Sequence, residues 1–230
     1  MIWLAVSFIG LIAKVSRETK KRTALWVGGL FLFYGGLIAW FWLEAGNKAF
    51  DSGEPGLMGW FIIGSALFLI GELLPVLREE TAGWALAAQG LAAGTFALGF
   101  DIFRPDDYSY VPGAILGVLT LMVGLQAHLS LSRGMKKSAG LNNVLLAIYI
   151  FAITAMVYAA TAKSIDRGWA LPWAYLAGGG ALLFAAGQAW MGWADILKKK
   201  VTAPWIQAAA INAGQLMMVV AAFFVYREFL

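Results

Sequence analysis

Between one cluster of charges and the next, this chain runs apolar for about twenty residues at a time, and it does so repeatedly. Cut at its charges, it gives eight apolar segments: about 1–13, 24–43, 57–77, 82–103, 110–131, 142–162, 169–197 and 203–226. An α-helix needs roughly 20 residues to cross about 30 Å of hydrocarbon, and most of the segments reach that length. The expected fold is therefore all-α: a polytopic membrane bundle of about eight transmembrane helices, or seven if the short first segment spans only in part. Met1 opens that segment without a basic leader, so an embedded helix is expected there rather than a cleaved signal peptide.

Composition points to the same solvent. Of the 230 residues, 61% are hydrophobic and 13% charged, against roughly a quarter charged in an ordinary soluble chain. A chain this apolar could not cover a core of its own size with polar surface. With no Cys, disulfides, thiolate metal sites and cysteine nucleophiles are excluded, and His128 alone cannot make a two-histidine metal or haem site. The net charge of +4 comes from basic loops, so it reads as topology and not as a nucleic-acid footprint. The sequence shows neither a linker nor a low-complexity tract, and residues 1–230 read as one integral membrane domain.

Lys and Arg set the expected orientation. The odd-numbered loops hold Lys14, Arg17, Lys20, Lys21, Arg22, Arg78, Arg133, Lys136, Lys137, Lys198, Lys199 and Lys200; the even loops and C-terminus hold Lys48, Arg104, Lys163, Arg167 and Arg227. Twelve against five places the odd loops in the cytoplasm and both termini outside. The expected location is a cell (inner) membrane of bacterial type. Gly90 with Gly94, Gly113 with Gly117, and the Gly178–Gly180 run are expected at close helix contacts. Trp40, Trp42, Trp60, Trp84, Trp169, Trp173 and Trp205 lie near segment ends, where an interfacial aromatic belt would put them.

Ionisable groups inside a span are costly and become functional candidates by default. Glu72 is the clearest, in Gly71-Glu72-Leu73-Leu74-Pro75 of the third segment. Pro75 removes the hydrogen bond to the Gly71 carbonyl, so kink, freed carbonyl and carboxyl coincide within one turn. An unpaired carboxyl in low dielectric favours its neutral, proton-donating form. The alternative is a neutral Glu bonded to a neighbouring helix for packing. Gln89, Gln126, His128, Gln188, Asn212 and Gln215 fall at comparable depth, toward the cytoplasmic side, which implies a pocket opening to the inner leaflet; each alone can equally be interhelical glue. His128 reads as an interfacial residue. All ten Lys lie in loops or at segment edges, so a Schiff-base lysine buried in a helix has no candidate. Phosphate-binding loops and a Gly-x-Ser-x-Gly elbow are absent from the sequence.

Four short stretches, in order, resemble the YhhN/TMEM86 family of eight-span membrane proteins, which includes lysoplasmalogenases. Gly71-Glu72 with Leu74 stands against a Gly-Asp-x-x-Leu motif. Tyr149 and Met156 match a tyrosine-to-methionine spacing. Gly180-Ala-Leu-Leu-Phe-Ala-Ala-Gly187-Gln188 is similar to Gly-Ala-Leu-Leu-Phe-x-x-Ser-Asp. Ile211-Asn212-Ala213-Gly214-Gln215-Leu216 is similar to Tyr-Tyr-Leu-Ala-Gln-Leu. The departures fall where chemistry would: the first Asp is Glu72, the second is Gln188, the Ser before it is Gly187, and a His of the fourth span has Gly94 as its nearest match.

The resemblance implies hydrolysis of the vinyl ether of a lysoplasmalogen to a fatty aldehyde and a glycerophospho-base, without a cofactor. A general acid protonates the enol ether and water adds to the oxocarbenium ion, which calls for an acid and a base. Glu72 would be the acid and Gln188 would hold the water, with Gln89, Tyr149, Asn212 and Gln215 binding substrate. Asp195, seven residues beyond Gln188 and about 10 Å nearer the cytoplasm, is a strained substitute for the lost base. The implied partner is a membrane lysophospholipid. The competing reading is a catalytically inactive relative serving as a lipid-binding or structural subunit of a larger membrane complex. A small carrier using Glu72 is a third, without a visible inverted repeat to support it.

Overall fold

A computed structural model describes residues 2–16, 23–50, 56–77, 82–102, 110–134, 140–166, 168–196 and 203–227. They form eight α-helices: α1 Ile2–Ser16, α2 Ala24–Ala45, α3 Leu57–Leu77, α4 Ala82–Gly99, α5 Tyr110–Gly134, α6 Gly140–Ala162, α7 Leu171–Ile196 and α8 Pro204–Tyr226. Strands are absent among the described residues. Five helices are long and apolar enough to cross a membrane: α2, α3, α8 and the stretches Val111–Arg133 and Asn143–Ile165 of α5 and α6. Each apolar segment of the sequence corresponds to one helix. The basic loops around residues 17–22, 78–81, 135–139 and 197–202 lie outside the described residues, as does the Asp- and Pro-containing connection at 103–109.

Helix ends follow local chemistry. The Thr23 hydroxyl caps α2 by accepting from the Trp26 N–H. Pro204 opens α8, where its missing N–H leaves no bond unmade. Gly46 ends α2 at φ +56°, a left-handed conformation that costs glycine nothing.

Consecutive helices pack antiparallel in pairs, α1 with α2, α3 with α4 and α7 with α8. α6 lies against α4, α5 and α7, and α8 reaches back to α1 and α3. Two pairs meet backbone to backbone. A Cβ on Gly29 would lie 2.6 Å from the Lys14 backbone N, and one on Gly180 would lie 2.7 Å from the Gly214 carbonyl O. Close approach is thus confined to small residues, as expected where lipid supplies little drive for helices to associate. Of the glycines expected at contacts, Gly180 fits this description, and a Cβ on Gly90 or Gly178 would lie 3.3 Å from the Tyr149 or Thr161 Cα, but Gly94 faces open space.

The core is aromatic, with Phe61 meeting Phe41, Phe96 and Phe100, and Phe223 tilted against Trp40 at 4.1 Å. Trp40 and Trp169 belong to it. Both are buried, so they do not form an interfacial belt, whereas Trp42, Trp60, Trp84 and Trp205 are exposed and Trp173 stacks on Phe224. Trp169 closes one end of the bundle, where the Tyr226 hydroxyl donates to the Gly99 carbonyl and buried Lys163 pairs with Asp166 at 2.9 Å. The polar groups of interest gather at the other end.

Candidate functional site

On α1, Ser7, Gly10, Leu11 and Lys14 form one buried stripe at helical spacing. Lys14 is 1% exposed. This corrects its expected place in a basic loop, and with it the expectation that none of the lysines is buried in a helix. Gly10 and Gly29 let α1 lie directly on α2, which carries the lysine into the bundle instead of out to solvent. An ammonium there needs compensation, since burying an unpaired charge costs several kcal/mol. It has it: Lys14 Nζ is 2.5 Å from Glu72 Oε2 and donates to Asn212 Oδ1 at 2.6 Å. The rings of Phe33 and Tyr34 lie 5.7 and 5.3 Å from the same nitrogen.

Glu72 is therefore not the isolated acid expected from sequence. Its second oxygen, Oε1, accepts from the Tyr34 hydroxyl at 2.6 Å. The Gln215 side-chain amide lies 2.9 Å from that hydroxyl. The Gln215 atom that faces it is Oε1, so the single tyrosine proton is shared between two acceptors, Glu72 Oε1 and Gln215 Oε1. Asn212 is held in place by donating its Nδ2 to the Ala208 carbonyl at 2.6 Å. Four helices, α1, α2, α3 and α8, thus meet in one polar network.

The network borders a cavity of about 320 Å³. Glu72, Gln89, Gln188, Asn212 and Gln215 all line it, so five of the six site residues expected from sequence share one wall space. Gly71 makes room for Gln89: a Cβ at 71 would sit 2.6 Å from Gln89 Cγ. Pro75 lies in the cavity wall, and α3 continues to Leu77 beyond it. Trp26, Phe68, Met191 and Ile211 supply an apolar rim.

Tyr149, the sixth residue, does not line this cavity. It is buried on α6 in the wall of a second, apolar groove between α5, α6 and α7, of about 270 Å³. Its hydroxyl is within electrostatic range of Glu72 and has no hydrogen-bond partner among the described residues. Gln188 lines both spaces. Gln126 is exposed on α5 and joins neither, and His128 is half-buried beside Phe151. The side chain of Asp195 lies outside the described residues.

Sequence reasoning missed Lys14, Tyr34 and Trp26. The i, i+3, i+4, i+7 stripe on α1 was the available signal for the lysine. Tyr34 stands within an aromatic run that reads as ordinary core. Compared with protein families, curated proteins and solved structures, the chain matches none.

Proposed function

We propose that this chain is a membrane-embedded lysoplasmalogenase-like protein of the YhhN/TMEM86 type, hydrolysing the vinyl ether of a lysoplasmalogen. The observation that carries the reading is the Lys14–Glu72 contact inside a cavity bordered by Gln188. The chemistry needs an acid and a base, and the family's second carboxyl is absent. In a cavity of low dielectric an ion pair loses much of its solvation, so the neutral arrangement that follows proton transfer from Lys14 to Glu72 comes within reach. That transfer creates both tools at once, a carboxylic acid and a free amine.

The protonated Glu72 gives its proton to the enol-ether carbon, leaving an oxocarbenium ion. Water held by Gln188 adds to that ion and loses a proton to the Lys14 amine. The resulting hemiacetal collapses to aldehyde and alcohol, and the ion pair stands as it began. Asn212 and Tyr34 keep the two groups in register, while Gln89 and Gln215 bind the polar end of the lipid. In this reading all eight helices are embedded in a bacterial-type cell membrane with both termini outside the cytoplasm, so the cavity faces the inner leaflet.

One observation favours the non-catalytic alternative, a lipid-binding or structural subunit: Glu72 holds Lys14 and Tyr34 together, and Lys14 holds Asn212, which is also how a clamp across four helices is built. Purified protein supplied with a lysoplasmalogen separates the two. The hydrolase releases fatty aldehyde, and Glu72→Gln and Lys14→Met each abolish the release. Absence of release under conditions where an authentic lysoplasmalogenase turns over sinks the hydrolase and leaves the subunit.

A further inference from the structure

The apolar groove between α5, α6 and α7 has a chemical polarity along its length. It extends on α5 from Leu131 to Leu119, twelve residues or about 18 Å of helix. Thr120 and Thr154 lie in its wall, yet both return their hydroxyls to carbonyls of their own helices, at 2.7 and 2.8 Å. The groove is therefore hydrocarbon-like except at one end. There Gln188 lines both the groove and the Lys14–Glu72 cavity, while Tyr149 forms part of the wall with its hydroxyl buried, within electrostatic range of Glu72. Along the outer edge Val123 and Leu182 are exposed, which leaves the groove open sideways to lipid.

We infer that this groove is the seat of the single hydrocarbon chain of an amphiphile whose polar end passes Gln188 into the Lys14–Glu72 cavity. A long slot, apolar along its length and ending at Gln188 beside the Lys14–Glu72 cavity, matches a single-chain lysolipid. Gln188 then meets the junction between chain and headgroup, which is where a vinyl ether lies. The identity of that polar end rests on the proposed function; the seat of the chain does not.

The test is photolabelling of the purified protein in mixed micelles with a lysophosphatidylethanolamine that carries a diazirine midway along its chain. Adducts are expected on Val123, Ile153 and Leu182, well above those on the equally lipid-accessible Phe31 and Ile70. Ala185→Phe fills the groove and should lower groove adducts about tenfold. Leu121→Phe, exposed on α5 beside the groove, should leave them unchanged. If Ala185→Phe does not fold, Ala189→Leu and competition by unlabelled lysolipid read the same seat. Adducts spread evenly over Val123, Phe31 and Ile70, or insensitive to these variants and to competition, overturn the proposal. Groove adducts without aldehyde release from wild type would support the seat while removing the hydrolase; aldehyde release without groove adducts would do the reverse.

Discussion

Replacing Lys14 and Glu72 singly and together measures the contact on which the site depends. Lys14→Met leaves the Glu72 carboxylate with Tyr34 as its remaining bonded partner, in a side chain that is 17% exposed. Partial solvation moderates the loss, and about 3 kcal/mol is expected, the lower end for breaking a buried pair. Glu72→Leu is worse. It leaves an ammonium whose side chain is 2% exposed beside the neutral Asn212 oxygen, and about 5 kcal/mol is expected. The double variant strands neither charge; it removes one partner each from Tyr34 and Asn212, for about 2 kcal/mol. The pair should therefore show a coupling of about 6 kcal/mol, toward the upper end of the range measured for close buried charge pairs. Reversible unfolding in mixed micelles gives all three values. Single effects that add to the double within about 0.5 kcal/mol would refute the shared contact, and the proton exchange proposed for it would fall as well.

Three further outcomes follow from the packing. Gly29→Ala drives a Cβ into the backbone at Lys14 and should cost about 1–3 kcal/mol, while Gly94→Ala, which meets open space, should be neutral or stabilise by up to about 1 kcal/mol in the same unfolding assay. Tyr34→Phe removes the hydroxyl shared by Glu72 and Gln215; it should cost about 1–3 kcal/mol and reduce aldehyde release without ending it, whereas complete loss would assign Tyr34 a direct chemical part. Gly180→Leu, aimed at the Gly214 carbonyl, should prevent α7 and α8 from closing and abolish a monodisperse peak in size-exclusion chromatography.

The helices could be read because run length and hydropathy act over twenty residues at a time, and tertiary context shifts their ends by only a few. Tracking depth along each run also brought Glu72, Gln89, Gln188, Asn212 and Gln215 to one level, and they share a cavity. Lys14 is not legible in the same way, because a charge inside the bundle looks in sequence like the end of an apolar segment. Ala13 and Val15 on either side, and the stripe through Ser7, Gly10 and Leu11, carried the contrary signal. Trp40 and Trp169 were misplaced because tryptophan suits both an interface and a core, and only the neighbours decide. Tyr149 shares the depth of the site and its hydroxyl comes within electrostatic range of Glu72, but the residue lines the neighbouring groove and not the cavity itself, a difference that depth alone does not resolve.

The Lys14–Glu72 contact also bears on biosynthesis. The ribosome makes Lys14 first, Glu72 58 residues later, and Asn212 198 residues after Lys14. At about 5–20 residues per second, the lysine waits roughly 3–12 s for its carboxylate and several times longer for its amide. α1 can pack on α2 as soon as both are made, but the polar contacts that Lys14 makes with Glu72 and Asn212 form only after α3 and then α8 have been added, so the completed network reports that the distant helix α8 is in place.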